Sequence, residues 1–82
     1  MARASASRAS RFDAVIKKIG EAIGEIEELR DELQSWLDGL PENLQSGSKA
    51  DMLQEAITAL EDCLSNLEEA ESTEVEFPAM YG

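Results

Sequence analysis

The side chains able to do chemistry in this chain are almost all carboxylates. Its 82 residues include eighteen Asp and Glu against seven Lys and Arg, with one cysteine, no histidine and a net charge of −11. Without histidine the chain lacks the side chain that most readily exchanges a proton near neutral pH and most often ligates a metal. The Glu-x-x-His pattern of di-iron helical bundles is therefore impossible. Cys63 falls among Leu60, Leu64 and Leu67 and follows Glu61 and Asp62 directly. A reactive thiol needs an electropositive setting, so Cys63 reads as a packed or half-buried structural thiol. A lone cysteine closes no internal disulfide, and nothing points to an oxidising compartment. Neither a calcium loop of the EF-hand type nor a Gly-rich phosphate loop is present. The residues predict a non-enzyme without catalytic residues, metal or cofactor.

The carboxylates themselves are patterned. Glu21, Glu25, Glu28 and Glu32 follow one another at spacings of four, three and four, which makes one ridge on a helix. Asp51, Glu55, Asp62 and Glu69 form a second. Charges set along a helical rod imitate a phosphate backbone, although many ordinary coiled coils carry similar ridges. Residues 1–18 carry a net charge of +4, whereas residues 19–82 carry −15. Such a field repels nucleic acid over most of the surface and attracts basic surfaces, including those of proteins that handle DNA or RNA. The predicted partners are a protein, with a nucleic-acid-binding protein as one candidate, and a second copy of the chain. Direct nucleic-acid binding is not expected. No apolar run approaches the ~20 residues that span a bilayer, and a membrane partner is not expected either. Met1–Arg8 lacks the apolar stretch of a secretory signal, and a cytoplasmic protein is expected.

The elements that must carry these ridges are two helices. Residues 1–10 alternate small residues with Arg and read as a flexible basic arm. Ser10 with Asp13 resembles a capping box, which places a helix over residues 11–38. With Phe12 at heptad position a, Ile19, Ile26 and Leu33 repeat a, while Val15, Ala22, Leu29 and Trp36 fall at d. Gly39, in a left-handed cap, and Pro41 should end this helix. A connection over 39–48 follows, with Leu44 plugging the end of the core. A second helix over 49–71, capped by Ser48, carries Leu53, Ile57, Leu60, Leu64 and Leu67. The fold class is all-α, an antiparallel helical hairpin resembling a coiled coil. The predicted core comprises Phe12, Val15, Ile19, Ile26, Leu29, Leu33 and Trp36 against the aliphatic residues of the second helix.

Beside the a/d seam of the first helix stand Ile16, Ile23 and Leu37. One neighbouring helix fills one groove, and leaving these aliphatic residues in water forfeits roughly 1.5–3 kcal/mol each. They are the predicted dimer interface, and pairing of two hairpins would give a four-helix bundle. The alternatives are a heterologous helix and the chain's own tail folded over the stripe. Gly20 and Gly24, four apart, form a small-residue notch or are simply tolerated. Residues 72–82 form an extended apolar-acidic tail in which Val75 and Phe77 alternate with Glu74 and Glu76, and Pro78 halts any strand. Val75, Phe77, Met80 and Tyr81 join Glu21, Glu25, Glu28 and Glu32 as the candidate partner-binding residues, with a frayed terminus as the plain alternative.

The stretch Ile26–Gln45, with its helix end Trp36-Leu37 and continuation Gly39-Leu40-Pro41-Glu42-Asn43-Leu44, and the closing Val75-Glu76-Phe77-Pro78 resemble small acidic helical proteins encoded by tailed bacteriophages. The resemblance covers about half the chain and carries no functional residue with it. It implies either an inhibitor or adaptor acting on a host protein complex in the host cytoplasm, or a small structural or assembly component of the particle.

Overall fold

A computed structural model describes residues 7–78. Helix α1 (Arg8–Asp38) and helix α2 (Ser48–Glu71) are joined by a connection containing a single 3-10 turn, Glu42–Leu44. They pack against each other as an antiparallel hairpin. At 1.5 Å per residue, α1 is about 46 Å long and α2 about 36 Å.

Each helix end satisfies its free backbone groups locally. Helix α1 begins three residues before the expected start. Ser7 is the N-cap, and its hydroxyl accepts the Ser10 N–H at 3.1 Å. Arg8, Ala9 and Ser10, assigned to the flexible arm from composition, are the first turn of the helix. Residues 1–6 of that arm lie outside the described residues. At the other end Gly39 is not left-handed, with φ −89° and ψ 0°. Its N–H donates to the Ser35 carbonyl at 3.0 Å and the Trp36 carbonyl at 3.2 Å, so the last turn tightens instead of reversing hand. The Gln45 side-chain amide donates to the Leu40 carbonyl at 3.0 Å and closes the connection. Leu44 stays exposed and does not plug the core. Gly47, not Ser48, is the N-cap of α2, without a side-chain hydrogen bond. The hydroxyls of Ser72 and Thr73 both donate to the Glu69 carbonyl at 3.1 Å and finish α2.

The core is thin and lopsided. Ala50, Leu53, Ile57 and Leu64 of α2 are buried, while no residue of α1 is fully buried. With Leu53 placed at a, every large aliphatic side chain of the α2 seam lies at a or e, and its d positions are the small Ala56, Cys63 and Ala70. Helix α1 answers with its own a and e positions: Ile19, Ile23, Ile26, Leu33 and Leu37 are half-buried. The expected a/d core is therefore corrected. Val15, Leu29 and Trp36 are 47%, 49% and 51% exposed. The side chains next to the seam, including Ile23 and Leu37, take their place because large aliphatic residues pair with the large aliphatic side of α2.

The glycines separate in role. A Cβ on Gly20 would stand 2.9 Å from the Glu71 carboxylate, whereas nothing lies within 4 Å of one on Gly24. The only obstacle at Gly20 is the mobile end of an exposed side chain, and each glycine costs a helix interior about 1 kcal/mol relative to alanine. Gly24→Ala should stabilise the hairpin by about 1 kcal/mol, a rise of roughly 4–8 °C in Tm. Gly20→Ala should stabilise it slightly less. Thermal melts followed by circular dichroism check this, and a Gly20→Ala protein that melts lower would show that the Glu71 carboxylate is held in place.

Candidate interaction surface

Glu71 lies beside Gly20, so the first turns of α1 extend past the end of α2. The tail continues in the direction of α2 along this overhang. Phe77 meets Phe12 edge-to-face with ring centroids 5.8 Å apart. Phe12, Ile16 and Phe77 are half-buried, and the tail is the described segment that reaches the level of Phe12 and Ile16. Val75 remains 45% exposed. Arg8, Arg11, Phe12, Val15 and Phe77 line a shallow depression at this end. The tail thus engages its own chain through Phe77, whose ring meets Phe12. Met80 and Tyr81 lie outside the described residues.

Glu21, Glu25, Glu28 and Glu32 are all exposed along the edge of α1 that faces away from α2. Asp51, Glu55, Asp62 and Glu69 are exposed along the opposite edge, on α2. The two ridges therefore line the two long edges of a flat hairpin and do not converge on one surface. Among the described residues the only ion pair is Arg30 with Asp31 at 3.2 Å, which leaves both ridges without neutralising partners. No group of three or more acidic or cysteine side chains among the described residues is placed to hold a metal ion. No described helix is long and apolar enough to cross a membrane.

Between the two edges the broad faces differ. An antiparallel pair is related by a two-fold axis normal to the hairpin, so equivalent flanks of the two helices fall on the same side. The Lys49 ammonium, at d of α2, lies 5.3 Å from the ring centroid of Trp36, at d of α1, and marks that common side. On it α1 presents Val15, Ala22, Leu29 and Trp36. Beyond Lys49, helix α2 presents Met52, Ala56, Ala59, Cys63, Asn66 and Ala70, a run without a charge in a strongly acidic chain. Met52 is 62% exposed, and Cys63 is half-buried. The reverse side carries Asp13, Glu27, Asp31, Glu61 and Glu68. Val15, Leu29, Trp36 and Met52 leave large apolar side chains exposed on this side, the kind of surface on which contacts with other molecules are built. The heptad alone places Val15, Leu29 and Trp36 in the core. The signal that could have found them is the smallness of Ala56, Cys63 and Ala70, which leaves nothing on α2 large enough to cover Leu29 or Trp36.

Comparison with known protein families, curated proteins and solved structures finds no match to this chain.

The Phe12–Phe77 contact generates a stability prediction. Phe77→Ala should lower stability by about 1–2 kcal/mol and fray the first turns of α1, because an aromatic pair and part of its apolar area are lost. Val75→Ala should cost much less. Amide exchange read residue by residue checks this, with faster exchange confined to the α1 overhang.

Proposed function

We propose that this chain is a non-enzymatic protein-interaction module of phage origin. Two acidic hairpins associate into a four-helix bundle and bind a basic, nucleic-acid-handling protein of the host cytoplasm, inhibiting or adapting it. The observation that carries the reading is the pair of exposed carboxylate ridges left without counter-cations. Unpaired charge on a rigid rod steers basic surfaces toward it and competes with phosphate backbones for them. The uncharged face supports self-association, since Val15, Leu29 and Trp36 each leave about half of a large apolar side chain in water. Chains of this size commonly gain stability by pairing.

Self-association is read by sedimentation. A chain of 9.0 kDa should run as a species of about 18 kDa at micromolar concentration. Leu29→Glu should shift it to 9.0 kDa with its helicity kept. Ile23→Glu, on the α2-facing side, should instead lower helicity itself. A wild-type chain that stays at 9.0 kDa while fully helical rejects the bundle.

Partner binding is read by affinity capture from host lysate with increasing salt. Capture should fall steeply between low and physiological salt, and DNA added in excess should displace the partner. The double variant Glu21→Lys, Glu28→Lys should lose capture while keeping helicity. Salt-insensitive capture that DNA does not disturb rejects phosphate mimicry. Recovery with phage particles in fixed copy number, rather than with a host complex, would favour the assembly role.

A further inference from the structure

Two chains of net charge −11 repel each other, so any surface on which they meet must be uncharged or locally complementary. The uncharged face meets the first condition. The row beside it on α1 meets the second. Heptad position g of α1 is occupied in order by Arg11, Lys18, Glu25 and Glu32, two cations followed by two carboxylates. All four side chains are exposed, and none forms an ion pair among the described residues. Helix α2 lies on the e side of α1, so the g side is the one left open to another helix. In a parallel pair position g faces position e of the neighbour, here Ile16, Ile23, Arg30 and Leu37, and no pattern of opposite charges results. In an antiparallel pair g faces g, and a row that reads plus, plus, minus, minus is complementary to its own reverse.

We propose that a second copy of the chain docks antiparallel along α1, with Arg11 and Lys18 of one protomer opposite Glu32 and Glu25 of its partner. Both pairs share one centre, midway between Glu21 and Ala22, and each is made twice by the two-fold axis. The same register brings Val15 and Leu29 of one protomer toward Ile26 and Phe12 of the other, and the small Ala22 lies close to the axis, where the backbones can approach. This inference rests on the self-association proposed above and fixes its orientation: because the axis lies at the level where α2 ends, beside Gly20, the two α1 helices meet along their length and the two α2 helices only at their ends. It also divides the α1 ridge between two tasks: Glu25 and Glu32 neutralise cations of the second copy, and Glu21 and Glu28, further round the outer edge, remain for a basic partner.

The test uses the full-length chain and sedimentation with circular dichroism. Arg11→Glu with Lys18→Glu replaces every attractive pair by a repulsive one and should raise the dimer dissociation constant at least about tenfold without loss of helicity. Adding Glu25→Lys and Glu32→Lys to that variant restores self-complementarity and should recover the dimer. The fourfold variant should not exchange with the wild-type chain, because like charges then face each other. Orientation is read separately in a Cys63→Ser background. Under oxidation Ala22→Cys should cross-link to itself, whereas Leu29→Cys, far from the axis, should not. A dimer indifferent to Arg11→Glu and Lys18→Glu, no cross-link at Ala22→Cys, or equal cross-linking at Leu29→Cys overturns the register. Any of these outcomes leaves the bundle standing. A wild-type chain that never dimerises removes the bundle and the register together.

Discussion

Leu53, Ile57, Leu60, Leu64 and Leu67 gather the large aliphatic side chains of α2 onto one narrow line, and the hairpin is arranged around that line. A helix with a single neighbour can bury one stripe, and the stripe of α1 that faces α2 is chosen by matching size to size. Ile19, Ile23, Ile26, Leu33 and Leu37 turn inward, which rotates Val15, Leu29 and Trp36 to the edge of the contact. The uncharged broad face, the polar reverse and the acidic outer edges are all consequences of that one rotation. The core it produces is thin: among the described residues four side chains are buried, all of them on α2. Such a core leaves a small margin of stability, and the apolar area still exposed on the broad face is a reserve that association can use.

Much of the fold was legible in the residues. A sustained heptad from Phe12 to Leu37, a break at Gly39-Leu40-Pro41 and a second heptad from Leu53 to Leu67 leave little besides an antiparallel hairpin. What the period alone does not contain is rotation. The a/d and a/e readings of α1 differ by a fraction of a turn, and both collect large apolar side chains. The decision lies on the other helix, in the contrast between Leu and Ile at a and e and Ala and Cys at d. The start of α1 was misplaced for a different reason. Arg, Ala and Ser at positions 8–10 are compatible with arm and helix alike, and either Ser7 or Ser10 can cap. At Gly39 the residue permits a left-handed turn, but the chain leaves the helix by tightening its last turn, so the permission goes unused.

The interaction surface was partly legible. The ridge at Glu21, Glu25, Glu28 and Glu32 follows from helical spacing, and its exposure follows from charge. That the second ridge lies on the opposite edge depends on how the hairpin packs and needed the structure. The tail shows a similar division. Alternation of Val75 and Phe77 with acids was plain, but the surface that Phe77 meets, Phe12 on the overhang of α1, appears only when α2 is seen to end at the level of Gly20. A hairpin with helices of unequal length leaves its longer arm uncovered, and an apolar tail is what a short chain has at hand to cover it.

Trp36 is the only tryptophan in the chain, and it stands half in solvent on the broad face shared by α1 and α2, with the Lys49 ammonium over its ring. An indole in that position senses both the polarity around it and the cation above it. Whatever comes to cover the face must either displace the lysine or trap it in a drier setting, and each changes the colour and yield of the emission. The molecule therefore carries its own optical probe, at the spot where occupancy of the face would be felt, with no label attached and no second tryptophan to confuse the signal.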